Sequence, residues 1–277
     1  MTIIFFVGQG VTEKAIHTEY KNGKYIKNNF INKLKKITNV IIPDIPYHHI
    51  YYYQKNDIDG WKARYNKITK LNLDDIFIQQ YIKNLKVDKR KKYIVVGHSD
   101  GIYFAMEFAI QYPKLVKEII SLDGSWITNK LCKQRLINWE KKDKKVKLIK
   151  KQEELNNLMV NIIEKQDNGS IKQIFNHTRY EHTKVCIKSN YQNIIKKIKY
   201  TSFRDFDSYA DNDDDKQHNE YAILENNVLS KLSDIYQIFW QVDAGHGLWF
   251  NELYKNQIVN YINCQYNSLF NLPELPK

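Results

Sequence analysis

Short apolar runs rich in β-branched and aromatic residues alternate along the chain with stretches in which apolar positions recur every three or four residues. The runs fall at 3–7, 39–42, 93–96, 115–122, 199–203 and 235–242, and most stop at Gly or Pro, so each reads as a strand. Helical spacing follows at 71–85, through Leu73, Ile76, Ile78, Tyr81, Ile82 and Leu85, with Asp74 and Asp75 suited to its first turn. A second helix covers 100–112 and is closed by Pro113, and a third covers 248–262. Strands alternating with helices predict an α/β protein with a mostly parallel sheet of about six strands and helices on both faces. Between 127 and 196 the pattern is a long helical excursion with few turn residues.

The glycines sharpen this picture. Of the 10 in the chain, Gly8, Gly10, Gly97, Gly101, Gly124, Gly245 and Gly247 sit at or just beyond the ends of strand-like runs. In an open parallel sheet the ligand crevice lies at the carboxyl ends of the strands, where backbone must approach substrate closely. Ordinary turn glycines are the plainer account of the same set. One cluster carries a motif: Gly97-His98-Ser99-Asp100-Gly101 interrupts an apolar run and leads into a helix. A serine there is forced into a sharp strand-to-helix turn that exposes its hydroxyl, and flanking glycines avoid collisions within the turn.

With this pentapeptide, the Gly8-Gln9-Gly10 loop after the first strand, acids after later strands and Gly245-His246-Gly247 after the last one, nearly the whole chain resembles the α/β-hydrolase superfamily. The resemblance implies a nucleophile, acid and histidine in that chain order, which Ser99, Asp207 and His246 obey. It implies that His246, on a loop with small neighbours, takes the serine proton, and its near-neutral pKa suits that task. For the acid, Arg204-Asp205-Phe206-Asp207-Ser208 stands where relatives carry a glycine, two variable residues and the acid; Arg204 replaces the glycine. Counting from it gives Asp207, with Asp205 as an alternative expected to point to the opposite side of the segment, and Asp123, after the preceding strand, as a third candidate. The oxyanion hole implied is the backbone amides of Gln9 and Asp100, with Val7 in the place of the family's usual histidine.

The same resemblance implies a core of residues 1–126 and 197–277 and a helical cap or lid of 127–196 over the crevice, carrying most substrate contacts. The antiparallel hairpin that precedes the oxyanion strand in many relatives is missing. The implied activity is that of a serine hydrolase cleaving an ester or related acyl bond of a small-molecule or lipid substrate through an acyl-enzyme on Ser99. Acyl transfer, thioester cleavage and carbon-carbon hydrolysis use the same triad, and a non-catalytic small-molecule binding protein could keep the same fold.

Composition narrows the partners. A net charge of +12 and a pI near 9.3 suit weak attraction to anions, yet no zinc pattern, arginine-rich arm or aromatic nucleic-acid motif accompanies them, so nucleic acid is not expected. The lysine-rich stretch 130–151 could lie on an anionic membrane, but lysine is high throughout and a solvated helix face explains it as well. The acidic run 211–215 lacks the glycine and distal glutamate of an EF-hand and reads as a surface loop. His48 and His49 fit a crevice mouth or an exposed loop equally, and 168–170 and 176–178 match glycosylation acceptors by coincidence. Neither metal nor organic cofactor is expected. Cys132, Cys186 and Cys264 are odd in number and scattered, which fits reduced thiols, and the first apolar run is too short for a signal peptide or membrane span; a soluble cytoplasmic protein is expected.

Overall fold

In the computed structural model the described residues are 1–8, 16–21, 24–45, 75–124, 201–209, 236–242 and 247–267, with single helical residues at 137, 153 and 223. Strand β1 is Thr2–Phe6, and a hairpin of β2 (Thr18–Lys21) and β3 (Lys24–Lys27) follows it. Helix α1 (Phe30–Ile37) then leads into β4 (Asn39–Ile41). Helix α2 (Asp75–Asn84), β5 (Tyr93–His98), α3 (Gly101–Gln111) and β6 (Val116–Leu122) come next, then β7 (Ser202–Tyr209), β8 (Tyr236–Val242) and α4 (Glu252–Asn267). Six strands form one sheet in the order β4-β1-β5-β6-β7-β8, and every pairing in it is parallel. The expected parallel sheet of about six strands is thus present.

Both faces of the sheet are covered, because alternate residues of its central strands point to opposite sides and both sets are apolar. On one face Phe6 stacks on Phe104 of α3 at 5.9 Å, and Phe108 of α3 meets the ring of Tyr93 at 5.6 Å. On the other, Ile3, Phe5, Ile94 and Val96 share a buried cluster with Phe30 and Leu34 of α1 and Ile258 and Ile262 of α4. Asn28 sets the start of α1: its side-chain oxygen accepts the Phe30 N–H at 2.9 Å. Lys35 and Lys36 lie in the last turn, where the helix dipole favours cations.

Two boundaries differ from expectation. The strand expected at 199–203 runs instead through Tyr209, so Arg204, Asp205 and Asp207 are strand residues and not part of a following loop. Residues two apart in a strand share a face, so Asp205 and Asp207 lie on the same side of β7, not on opposite sides. The helix expected over 248–262 is a 3-10 turn, Leu248–Phe250, followed after Asn251 by α4. The β2-β3 hairpin and α1 carry no counterpart in the sequence reading. Of 127–196 only Ile137 and Glu153 are described, both helical and exposed, so the expected cap lies outside the described residues. The basic stretch 130–151 beyond Ile137, the acidic run 211–215, His48 and His49, Cys132 and Cys186 lie outside them as well; Cys264 is a free, exposed thiol. Among the described residues no helix is long and apolar enough to cross a membrane.

Arg204, which stands where relatives carry a glycine, is a residue of β7. Its guanidinium lies 3.6 Å from the carboxylate of Glu118, which is buried under α4 and accepts hydrogen bonds from Tyr261 Oη at 2.7 Å and Ser202 Oγ at 2.9 Å. Burial outweighs these donors and pushes the Glu118 carboxyl above its ordinary 4.5; burial and the neighbouring carboxylate push the Tyr261 phenol up. A raised folded pKa means that the folded state holds the proton more tightly, so Glu118's contribution to stability is full below 4.5 and declines as pH rises through the folded value. Glu118→Gln keeps an acceptor for Tyr261 and cannot ionise. It is expected to lose less stability than the native chain as pH rises above 4.5, as read from thermal melts at a series of pH values; parallel curves would sink the argument.

Candidate active site

Strand β5 is buried along its whole length and ends at His98. The next residue, Ser99, has φ 51, one of two non-glycine residues with left-handed backbone among the described residues; the other is Asp123 at φ 47. Such a conformation costs on the order of 1–3 kcal/mol and persists only where neighbours over-determine it. They do so here. The Ser99 N–H donates to Leu122 O on β6 at 3.3 Å, and Ser99 O accepts the Ile102 N–H at 3.1 Å, opening α3 immediately behind the turn. Asp100, at φ −62, is already right-handed and caps that helix.

Three glycines allow the turn to close. A Cβ on Gly97 would meet the backbone of Ile102, and one on Gly101 would overlap the Phe6 carbonyl oxygen of β1. One on Gly8 would lie 2.6 Å from Ser99 Cβ and 2.9 Å from His98 Nδ1. The end of β1 therefore presses on the serine turn from one side while α3 presses from the other.

Strand register aligns the acids with this serine. His98 pairs with Leu122 and Leu122 with Phe206, so Ser99, Asp123 and Asp207 each stand one residue beyond a matched row, at the carboxyl ends of β5 and β6 and within the pairing of β7 with β8. The Asp123 N–H donates to Phe206 O at 2.7 Å, which carries the row across. With strands about 4.8 Å apart, Asp123 stands one strand spacing from Ser99 and Asp207 about 9.6 Å. Asp205 lies two rows below Asp207, opposite Ser121. All three carboxylates are buried, at 4%, 6% and 2% exposure for Asp123, Asp207 and Asp205.

Of the residues singled out in the sequence, Ser99, Asp100, Asp123, Asp205 and Asp207 thus meet at one sheet edge, whereas Gln9 and His246 lie outside the described residues. Gly247 leads into the 3-10 turn Leu248–Phe250, in which Trp249 is buried in the core. Its indole lies edge-on to the His98 ring, centroids 4.5 Å apart, and stacks on Phe30 at 5.8 Å. Sequence reasoning missed this pair. The available signal was spacing: His98 alternates with Ile94 and Val96, which places it on the face they bury. Among the described residues no group of three or more His, Cys, Asp or Glu is arranged to hold a metal ion.

The left-handed backbone at position 99 yields a direct expectation. Glycine adopts it without a Cβ penalty, so Ser99→Gly is expected to be more stable than Ser99→Ala by about 1 kcal/mol in urea unfolding; equal stabilities would show that the turn stores no strain.

No protein-family model and no curated protein matches the chain. Solved structures do. A structure reported for carboxylesterases of the ammonia-oxidizing thaumarchaeon Nitrososphaera gargenis aligns at 12% identity over 96% of this chain and 91% of that chain, with a TM-score of 0.50. MGS-M2, an alpha/beta hydrolase enzyme from a Medee basin deep-sea metagenome library, aligns at 13% identity over 100% and 91%, with a TM-score of 0.49. A lipase-esterase related protein from Clostridium acetobutylicum aligns at 16% identity over 95% and 93%, with a TM-score of 0.47.

Proposed function

We propose that this chain, which has the α/β-hydrolase fold, is a serine hydrolase that cleaves an ester or related acyl bond of a small-molecule or lipid substrate. The observation that carries the reading is Ser99 held in a left-handed strand-to-helix turn between Gly8 and the start of α3, level with a buried carboxylate two strands away. In this reading Ser99 Oγ attacks the acyl carbon while His246 accepts its proton. The oxyanion of the tetrahedral intermediate is held by the amides of Gln9 and Asp100, the latter at the amino end of α3 where the helix dipole favours negative charge. His246 returns the proton to the leaving group as the carbon–oxygen bond breaks. A water activated by His246 then releases the acyl group and regenerates Ser99. The scheme uses neither metal nor organic cofactor.

Asp207 is the acid in this proposal. A serine and a carboxylate bridged by an imidazole are separated by two hydrogen bonds of about 2.8 Å and about 2 Å of ring, roughly 7–8 Å between side-chain oxygens. Two strand spacings suit that span, one spacing to Asp123 is short for it, and Asp205 starts two rows lower. The carboxylate would hold the imidazole in the tautomer that accepts the serine proton and stabilise the imidazolium that forms. Residues 127–196 would form the lid that excludes water and selects the acyl group.

Intact-protein mass spectrometry after exposure to a fluorophosphonate, with turnover of p-nitrophenyl acetate in parallel, tests the proposal. The expected result is a single adduct that disappears in Ser99→Ala. Labelling should fall by about a thousandfold or more in Asp207→Asn and by less than about tenfold in Asp205→Asn and Asp123→Asn. Folded native protein that takes no adduct and turns over no ester would favour a non-catalytic binding protein on this fold.

A further inference from the structure

The His98–Trp249 ring pair lies outside the mechanism above, yet it stands where three parts of the proposed site converge. His98 immediately precedes Ser99 on β5 and is buried at 3% exposure. Gly8 lies against its ring, so close that a Cβ there would come within 2.9 Å of Nδ1, and Gly8 directly precedes Gln9 in the chain. The indole of Trp249 also lies against it, 4.5 Å away and nearly perpendicular at 80°. Trp249 is three residues beyond the proposed base, His246, in the sequence.

That anchor is itself fixed on every side. Trp249 is 1% exposed, stacks on Phe30 with an interplanar angle of 11° and meets Phe5 of β1 edge-on at 6.1 Å. Its carbonyl accepts a hydrogen bond from Asn28 Nδ2 at 3.2 Å, while Asn28 Oδ1 accepts the Phe30 N–H. The indole therefore cannot slide along the sheet without unstacking from α1 and leaving the Asn28 amide unpaired in the core. Contact with His98 transmits this rigidity to the residue before the nucleophile.

We infer that His98 and Trp249 are positioning residues: their edge-to-face contact ties the Ser99 turn to the 3-10 turn Leu248–Phe250, which begins two residues after His246 in the sequence, and Asn28 locks the contact in place. The inference rests on the reading of Ser99 and His246 as nucleophile and base. Its neighbours Ile94 and Val96 on the same face are aliphatic, so His98 is the polar ring at the end of an otherwise apolar stripe. A histidine supplies a flat ring narrow enough to fit beside Gly8 and broad enough to meet an indole edge.

The test is a double-mutant cycle read in the second-order rate of fluorophosphonate labelling and in p-nitrophenyl acetate kinetics, on variants shown to be folded by circular dichroism. Trp249→Leu and His98→Asn are each expected to lower labelling and kcat by about twentyfold to a hundredfold, with KM within about twofold of native, since a small misplacement of reacting groups acts on the chemical step. Trp249→Phe, which keeps both the Phe30 stack and a ring edge, is expected to recover most of that loss, and it serves as the readable variant should the leucine fail to fold. The double variant His98→Asn/Trp249→Leu is expected to lose no more than the worse single, because the two act through one contact. Folded singles that label at the native rate, or losses that multiply in the double, would overturn the inference. His246→Ala separates the two levels of the argument: if it labels as fast as native, the catalytic reading itself falls, whatever the ring pair does.

Discussion

Everything at the carboxyl edge of the sheet depends on how closely β1, β5 and α3 approach one another. Three backbones are packed to a separation that leaves no room for a Cβ at Gly8, Gly97 or Gly101. Within this close approach Ser99 takes up left-handed backbone, a conformation that persists only where its surroundings hold it. The energy of the strained turn is offset by the two-sided burial of β1 and β5, whose side chains are almost entirely withdrawn from water.

The two faces do different work at that edge. On the α3 side, Phe6, Tyr93, Phe104 and Phe108 interlock and fix the helix whose amino end stands behind Ser99. On the α1 and α4 side, Phe5, Phe30 and Trp249 interlock and fix the 3-10 turn Leu248–Phe250. The serine turn and that 3-10 turn are thus braced by separate aromatic clusters, joined at the edge by the His98–Trp249 contact. At its other end the sheet is tied to α4 by polar groups, through Glu118, Arg204 and Tyr261.

The central strands were legible because burial on both faces writes itself as an unbroken apolar run, as in 3–7 and 93–96, and the serine turn was legible because only glycine fits around it. Strand β7 was legible only in its first residues. Arg204, Asp205 and Asp207 read as loop chemistry, and nothing local reveals that Glu118, distant in sequence, lies beside the arginine or that β8 pairs with β7 as far as Tyr209. Helix α1 has its apolar residues Phe30, Ile31, Leu34 and Ile37 at helical spacing, but at 8 residues among asparagines and lysines it is too short for periodicity to stand out. Its role emerges in three dimensions, where Phe30 stacks on an indole more than two hundred residues away along the chain. The row of Ser99, Asp123 and Asp207 is likewise a property of register, which no single segment encodes.

Register accounts for the placing of a second strained residue. Asp123 follows β6 in left-handed backbone while its N–H still completes the ladder to Phe206. Aspartate tolerates that conformation better than most residues, and Gly124 follows at a point where a Cβ would collide with Ser121 Oγ. The two left-handed residues thus stand side by side beyond neighbouring strands, Ser99 among the close contacts of β1 and α3 and Asp123 on its ladder bond to β7. Asp207, in the same row, is by contrast a residue within β7, so the row reaches it with the backbone still extended.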